Sequence, residues 1–178
     1  EMSRDYEDDI YAETVAKGLN HVLDNGNGAT KAIPAHSDGI AVRDADSNGN
    51  GIGAYTTTET YASAWGALAV VFSQTSATKA QNTFVKSGPF KGMSLFDLVT
   101  DIVDQYAWST GDGGIRGGFE YNPTTQGQPR YDGSAQQWPA LLVKAAKDRW
   151  GINPPQWYID NMIYGFNVLQ DTGGGVGY

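Results

Sequence analysis

The chain has no cysteine, only 12 lysines and arginines in 178 residues, and two histidines. Each shortage closes a class of chemistry. Without cysteine there is no disulfide, no thiolate zinc site and no thiol nucleophile. Twelve basic residues stand against 20 acidic ones, with a net charge of −8. That balance cannot supply the clustered positive charge that draws a nucleic-acid backbone or an anionic membrane surface. No apolar run approaches the length of a bilayer span, so no membrane insertion is expected. His21 and His36 sit in no pattern that makes a proton relay visible, and both are expected to be structural or exposed. The acidic, lysine-poor composition, rich in Gly, Asn and Thr, fits a secreted bacterial or archaeal protein at an extracellular or cell-surface location.

What the chain does have is apolar periodicity, interrupted by glycine. Ile10, Val15, Leu19, Val22 and Leu23 recur at helical spacing, as do Ala62, Trp65, Ala69 and Phe72. Leu95, Leu98, Val99, Ile102 and Tyr106 form a third stripe, and Trp138, Leu141, Leu142, Ala145 and Ala146 a fourth. Ile159, Met162, Ile163, Phe166 and Leu169 form the fifth. The spacing predicts five helices, near 8–24, 58–73, 94–107, 134–148 and 155–170, with almost no sheet. Thr56 with Glu59, and Ser134 with Gln137, have the spacing of capping boxes at two of the helix starts. The polar connection from Ser73 to Gly92 reads as an ordered surface insertion.

Three loops join glycines to aromatics: Gly51 to Tyr55, Gly117 to Tyr121, and Gly174 to Tyr178. After each of the first two comes a helix with a tryptophan on its stripe, Trp65 and then Trp138, and these two helices are expected to be neighbours lining the inner side, with both tryptophans buried. The irregular spacing is roughly that of helical-hairpin repeats. The last loop, Gln170-Asp171-Thr172-Gly173-Gly174-Gly175-Val176-Gly177-Tyr178, resembles the glutamine-to-aromatic repeat of squalene and terpenoid cyclases and protein prenyltransferases. Asp132-Gly133-Ser134-Ala135-Gln136-Gln137-Trp138 is similar to the start of that family's inner helix. Val176 and Tyr178 depart from the pattern, standing where an aromatic and a tryptophan are usual. The resemblance implies an all-α fold: a single domain over 1–178, forming part of an α/α toroid of about two and a half repeats. Because the chain begins Glu-Met-Ser and ends inside a glycine loop, it is expected to be a piece of something longer. Further repeats or another chain would then complete the toroid.

The family's chemistry is not carried by matching residues. No Asp-x-Asp-Asp string occurs, and zinc-dependent prenyl transfer lacks its cysteine. Asp8, Asp9 and Glu13 half-resemble a magnesium-binding diphosphate motif, but acids at a helix start need no other explanation. Arg116 and Arg130 flank the second glycine loop and are the candidates for a lyase base. Asp101 and Asp104 fall off their helix's apolar stripe and are expected to be solvated.

The segment Arg43-Asp44-Ala45-Asp46-Ser47-Asn48-Gly49-Asn50-Gly51 alternates oxygen-bearing side chains and ends in glycine. Calcium needs several hard oxygens converging on one point, and such a loop offers them. Asp44, Asp46 and Asn48 through side chains, and Asn50 through its carbonyl, are the candidate ligands of a structural calcium ion. The same pattern also makes a good turn. A ligand-binding surface is expected where the helix starts converge, at Tyr55, Glu59, Tyr61, Tyr121, Asp132 and Ser134. Aromatics mixed with carboxylates suit a carbohydrate or another small polar ligand.

Two function classes remain. The first is a non-catalytic secreted helical repeat module, a scaffold or ligand-binding surface stabilised by calcium. The second is part of an α/α-toroid enzyme, an isoprenoid-type cyclase or a lyase acting on an acidic polysaccharide.

Overall fold

A computed structural model describes residues 10–24, 27–73, 76–175 and 177. In order, the elements are α1 (Ala12–Asp24), β1 (Ala29–Ala32), β2 (His36–Ser37), β3 (Val42–Arg43) and β4 (Ile52–Tyr55). Then follow α2 (Thr60–Ser73), α3 (Ala77–Asn82), α4 (Leu95–Ser109), α5 (Gly133–Trp150) and α6 (Gln156–Leu169). All five expected helices are present. The all-α expectation is nevertheless corrected: 51% of the structure is helical and 9% is strand, in two small antiparallel sheets, a mixed α/β arrangement. β1 pairs with β4 from Ala29–Tyr55 to Ala32–Ile52, and β2 pairs with β3. These strands escape the periodicity because they are two to four residues long, too short for an alternating pattern to register.

The fold is built around α4, in which every residue from Leu98 to Ser109 is buried. Ser94 starts it, accepting the Asp97 amide at 3.0 Å. Leu98, Val99, Ile102, Val103 and Tyr106 supply the apolar bulk of the core. β4 covers one side of α4 so closely that a Cβ on Gly53 would overlap the Gln105 side chain and crowd Ile33. Helices α2, α3 and α5 cover the others. Of the 73–92 connection, residues 76–92 are held in place: Ser76 caps α3, Phe90 is fully buried, and Phe84 bridges to Ser94.

Helices α2 and α5 form the principal helix pair and run the same way. Trp65 meets Trp138 near their starts, and Arg149 lies over the Phe72 ring near their ends. The expected start of α1 is shortened to Ala12, and Ile10 is 91% exposed rather than buried. Glu13 pairs with Lys17 at 2.7 Å. Asp8, Asp9, Val176 and Tyr178 lie outside the described residues. Among those described, no helix is long and apolar enough to cross a membrane.

Candidate functional site

The starts of α2 and α5 are tied together through the second glycine loop. Thr60 donates its amide to the Tyr121 carbonyl at 2.7 Å, and the buried Tyr106 hydroxyl donates to the Thr60 carbonyl at 2.7 Å. Asp132 caps α5, its carboxylate accepting the amides of Ser134 and Ala135 and the Ser134 hydroxyl at 2.6 Å. The expected Ser134–Gln137 capping box is therefore not formed. A carboxylate two residues earlier takes the Ser134 and Ala135 amides and complements the helix dipole better than a hydroxyl can. Thr56–Glu59 does not form one either. The Thr56 amide is committed to the Ser63 hydroxyl, and Thr57 accepts the Glu59 amide instead.

Above these caps lies a row of aromatic rings. Tyr121 meets Tyr61 edge-on at 6.3 Å, Tyr61 meets Trp65 at 5.3 Å, and Trp65 meets Trp138 at 5.0 Å. Trp65 is 47% exposed and Tyr121 is 41% exposed, so the expectation that Trp65 packs inward is corrected. Side by side, α2 and α5 leave this face open on one side. A recess of about 250 Å³ lies against Trp65, with His21 and Thr57 on its walls. Tyr121 also bonds the Asp132 carboxylate. Burial pushes that carboxyl up, but the bonds from Ser134, Ala135 and Tyr121 outweigh burial and hold its pKa below the usual range.

Of the six residues expected to share a surface, Tyr61, Tyr121, Asp132 and Ser134 are joined by these contacts. Glu59 is exposed just ahead of α2. Tyr55 ends β4 opposite Ala29, in the ribbon rather than the aromatic row. Trp65 and Trp138 belong to the row as well, although the periodicity had marked them only as core.

The aspartate–asparagine loop lies at a different place, against α4. Asp44 turns inward on its own loop, its carboxylate accepting the Asp46 amide and its carbonyl accepting the Trp157 indole at 2.9 Å. Asp46 accepts the amides of Gly49, Asn50 and Gly51. Asn48 and Asn50 donate their side-chain amides to Asp101 at 2.7 and 2.9 Å, and Ser47 donates its amide to Asp104 at 3.0 Å. Asp101 and Asp104, expected to be solvated, are completely buried. Periodicity missed them because α4 is covered on every side, so its polar stripe faces the loop rather than water. Burial pushes Asp101 up to about 6 and Asp104 up to about 7. A signal was available: no basic residue lies within α4 to pair with either acid.

His36 is fully buried, stacked on Trp157, with its ring nitrogens 2.9 Å from Asp112 and from Gln126. Its acidic partner is distant in sequence, so no local pattern shows it. Arg130 pairs with Glu120 at 2.7 Å, and the Arg116 guanidinium stacks 3.5 Å from the Tyr164 ring centre. Comparison with protein-family models, curated proteins and solved structures gave no match to this chain.

Proposed function

We propose that the chain is a non-catalytic, secreted ligand-binding module whose aromatic row on α2 and α5 takes a carbohydrate or a similar polar ligand. The observation that carries this reading is the row Tyr121–Tyr61–Trp65–Trp138, exposed at Tyr121 and Trp65 and partly buried at the other two rings, with a carboxylate at its base. Tyrosine and tryptophan combine a broad apolar face with a polar edge, which suits the alternating apolar and hydroxyl-bearing faces of a sugar ring. Four linked rings form a larger exposed patch than scattered surface apolars. A rigid base under the row keeps the cost of ordering it low, since Asp132 and Thr60 are already fixed by hydrogen bonds. The enzyme class draws no support from the candidate bases, because Arg130 is held by Glu120 and Arg116 by Tyr164.

The test is tryptophan emission during titration with neutral and acidic oligosaccharides. The proposal expects a saturable change in the parent that is lost in Trp65→Ala and in Tyr121→Ala. Absence of any response across the panel would overturn it, as would a full response from Trp65→Ala.

A further inference from the structure

The loop over α4 shares none of its residues with the aromatic row, so what it does can fail or stand independently. Two carboxylates, three residues apart on α4, are 0% exposed. Each uses one oxygen to accept from the loop and keeps the other buried without any hydrogen-bond partner: Oδ2 of Asp101 and Oδ1 of Asp104. Their electrostatic neighbours are all acidic, namely Asp97 and Asp46 for Asp101, and Asp101 and Asp46 for Asp104. An uncompensated buried carboxylate is costly, and one of a pair of like sign more so. Such a cluster has two ways out: it takes up protons or it takes up a cation.

Asp46 brings a third carboxylate into electrostatic range of both acids. Asn48 and Asn50 reach Asp101 with the nitrogen ends of their amides. Rotation of those amides turns their oxygen ends toward Asp101 and gives up the bonds that these oxygens now accept from the Asn50 and Ile52 amides. Among the described residues no three acidic or histidine side chains already enclose an ion, so the loop's amides and water must complete any shell. An irregular set of oxygens from two buried carboxylates, the loop's amides and water suits calcium, which accepts six to eight ligands in flexible geometry. Magnesium demands a tight octahedron and sheds water reluctantly.

We propose that the 44–51 loop and α4 form a calcium site anchored by the unpartnered oxygens of Asp101 and Asp104, with Asn48 and Asn50 closing it from the loop. Asp44 and Asp46, whose carboxylates accept amides of their own loop, shape the loop and are not side-chain ligands. The ion would replace the amide donors now facing Asp101 and pin β3 and β4 to the central helix.

Calorimetry with calcium chloride should show one ion per chain. Thermal unfolding in calcium should exceed that in chelator by roughly 5–10 °C at a hundredfold excess over the dissociation constant. Asp101→Asn and Asp104→Asn should abolish the rise, whereas Asp160→Asn, on the exposed face of α6, should keep it. Should either buried variant fail to fold, the exposed loop variants Asn48→Ala and Asn50→Ala decide, and both should weaken binding at least tenfold. A parent midpoint unmoved by calcium overturns the proposal. So does a full rise in Asp104→Asn, unchanged binding in both loop variants, or an equal rise with magnesium.

Discussion

Asp132 and Asp104 are both buried carboxylates, and their surroundings treat them in opposite ways. Asp132 sits at a helix start, where backbone amides, a serine and a tyrosine converge on it, and its pKa falls. Asp104 sits in mid-helix, where the backbone amides are already used, and receives one loop amide beside other acids, so its pKa rises. Burial alone does not decide whether a carboxylate stays charged; the supply of donors does. The two positions accordingly suit different work. The satisfied acid is a rigid foundation under the open aromatic row. The unsatisfied pair is a buried concentration of negative charge with one oxygen of each carboxylate left without a donor.

The largest effect should come from prising the cover off α4. Gly53→Val would drive a side chain into Gln105 and Ile33 and should destabilise the fold by roughly 2–3 kcal/mol in chemical denaturation. It should also weaken the response to calcium, since β4 follows the loop directly. Next in size is Asp132→Ala, which removes a cap and leaves its donors unpaired. A loss of about 1–2 kcal/mol is expected, with the calcium response intact. A larger loss for Asp104→Asn than for Asp132→Ala in chelator would break the contrast, because neutralising Asp104 should relieve repulsion and raise the midpoint.

The pH dependence has opposite signs at the two places. In chelator, Asp101 and Asp104 have folded pKa values of about 6 and 7, above the ordinary value of an unfolded aspartate, about 3.9. Their favourable contribution is complete below that unfolded value and is lost as pH rises through 6 and 7. Asp132, with its lowered pKa, contributes stability above the unfolded value and loses it as pH falls through the folded one. Melting in chelator should therefore weaken between pH 5 and pH 8 in the parent and much less in an Asp101→Asn, Asp104→Asn double variant. Identical profiles would contradict the assignment. The smallest effect belongs to Trp65→Ala. With nearly half its surface in water, it should cost about 1 kcal/mol or less, well below the cost of truncating a buried tryptophan.

These contrasts also explain which features the sequence revealed. Five helices were visible because each carries an apolar stripe longer than two turns. α3 was not, since Ala-Thr-Lys-Ala-Gln-Asn has no stripe and depends on the Ser76 cap. The β1–β4 ribbon was hidden for a related reason. Its strands are short, and what fixes them is contact between Gly53 and the distant Gln105, which no local pattern records. The residues of the aspartate–asparagine loop were recognisable as oxygen donors, but their partners on α4 lie more than fifty positions away. The aromatic row was half visible: Tyr61 and Tyr121 were placed by the loop-and-helix order, while Trp65 and Trp138 were read as core because exposure depends on what covers a stripe.

The central claim is that the loop on α4 and the row on α2 and α5 are separate binding regions with separate ligands. Amide hydrogen exchange resolved by segment tests this most directly, comparing chelator, calcium, and calcium with an oligosaccharide that alters tryptophan emission. The expected result is that calcium slows exchange in 44–51 and the middle of α4 and leaves 119–121 and the starts of α2 and α5 unchanged, while the sugar does the reverse. Calcium protection centred on the aromatic row, or no protection over the 44–51 loop, would contradict it.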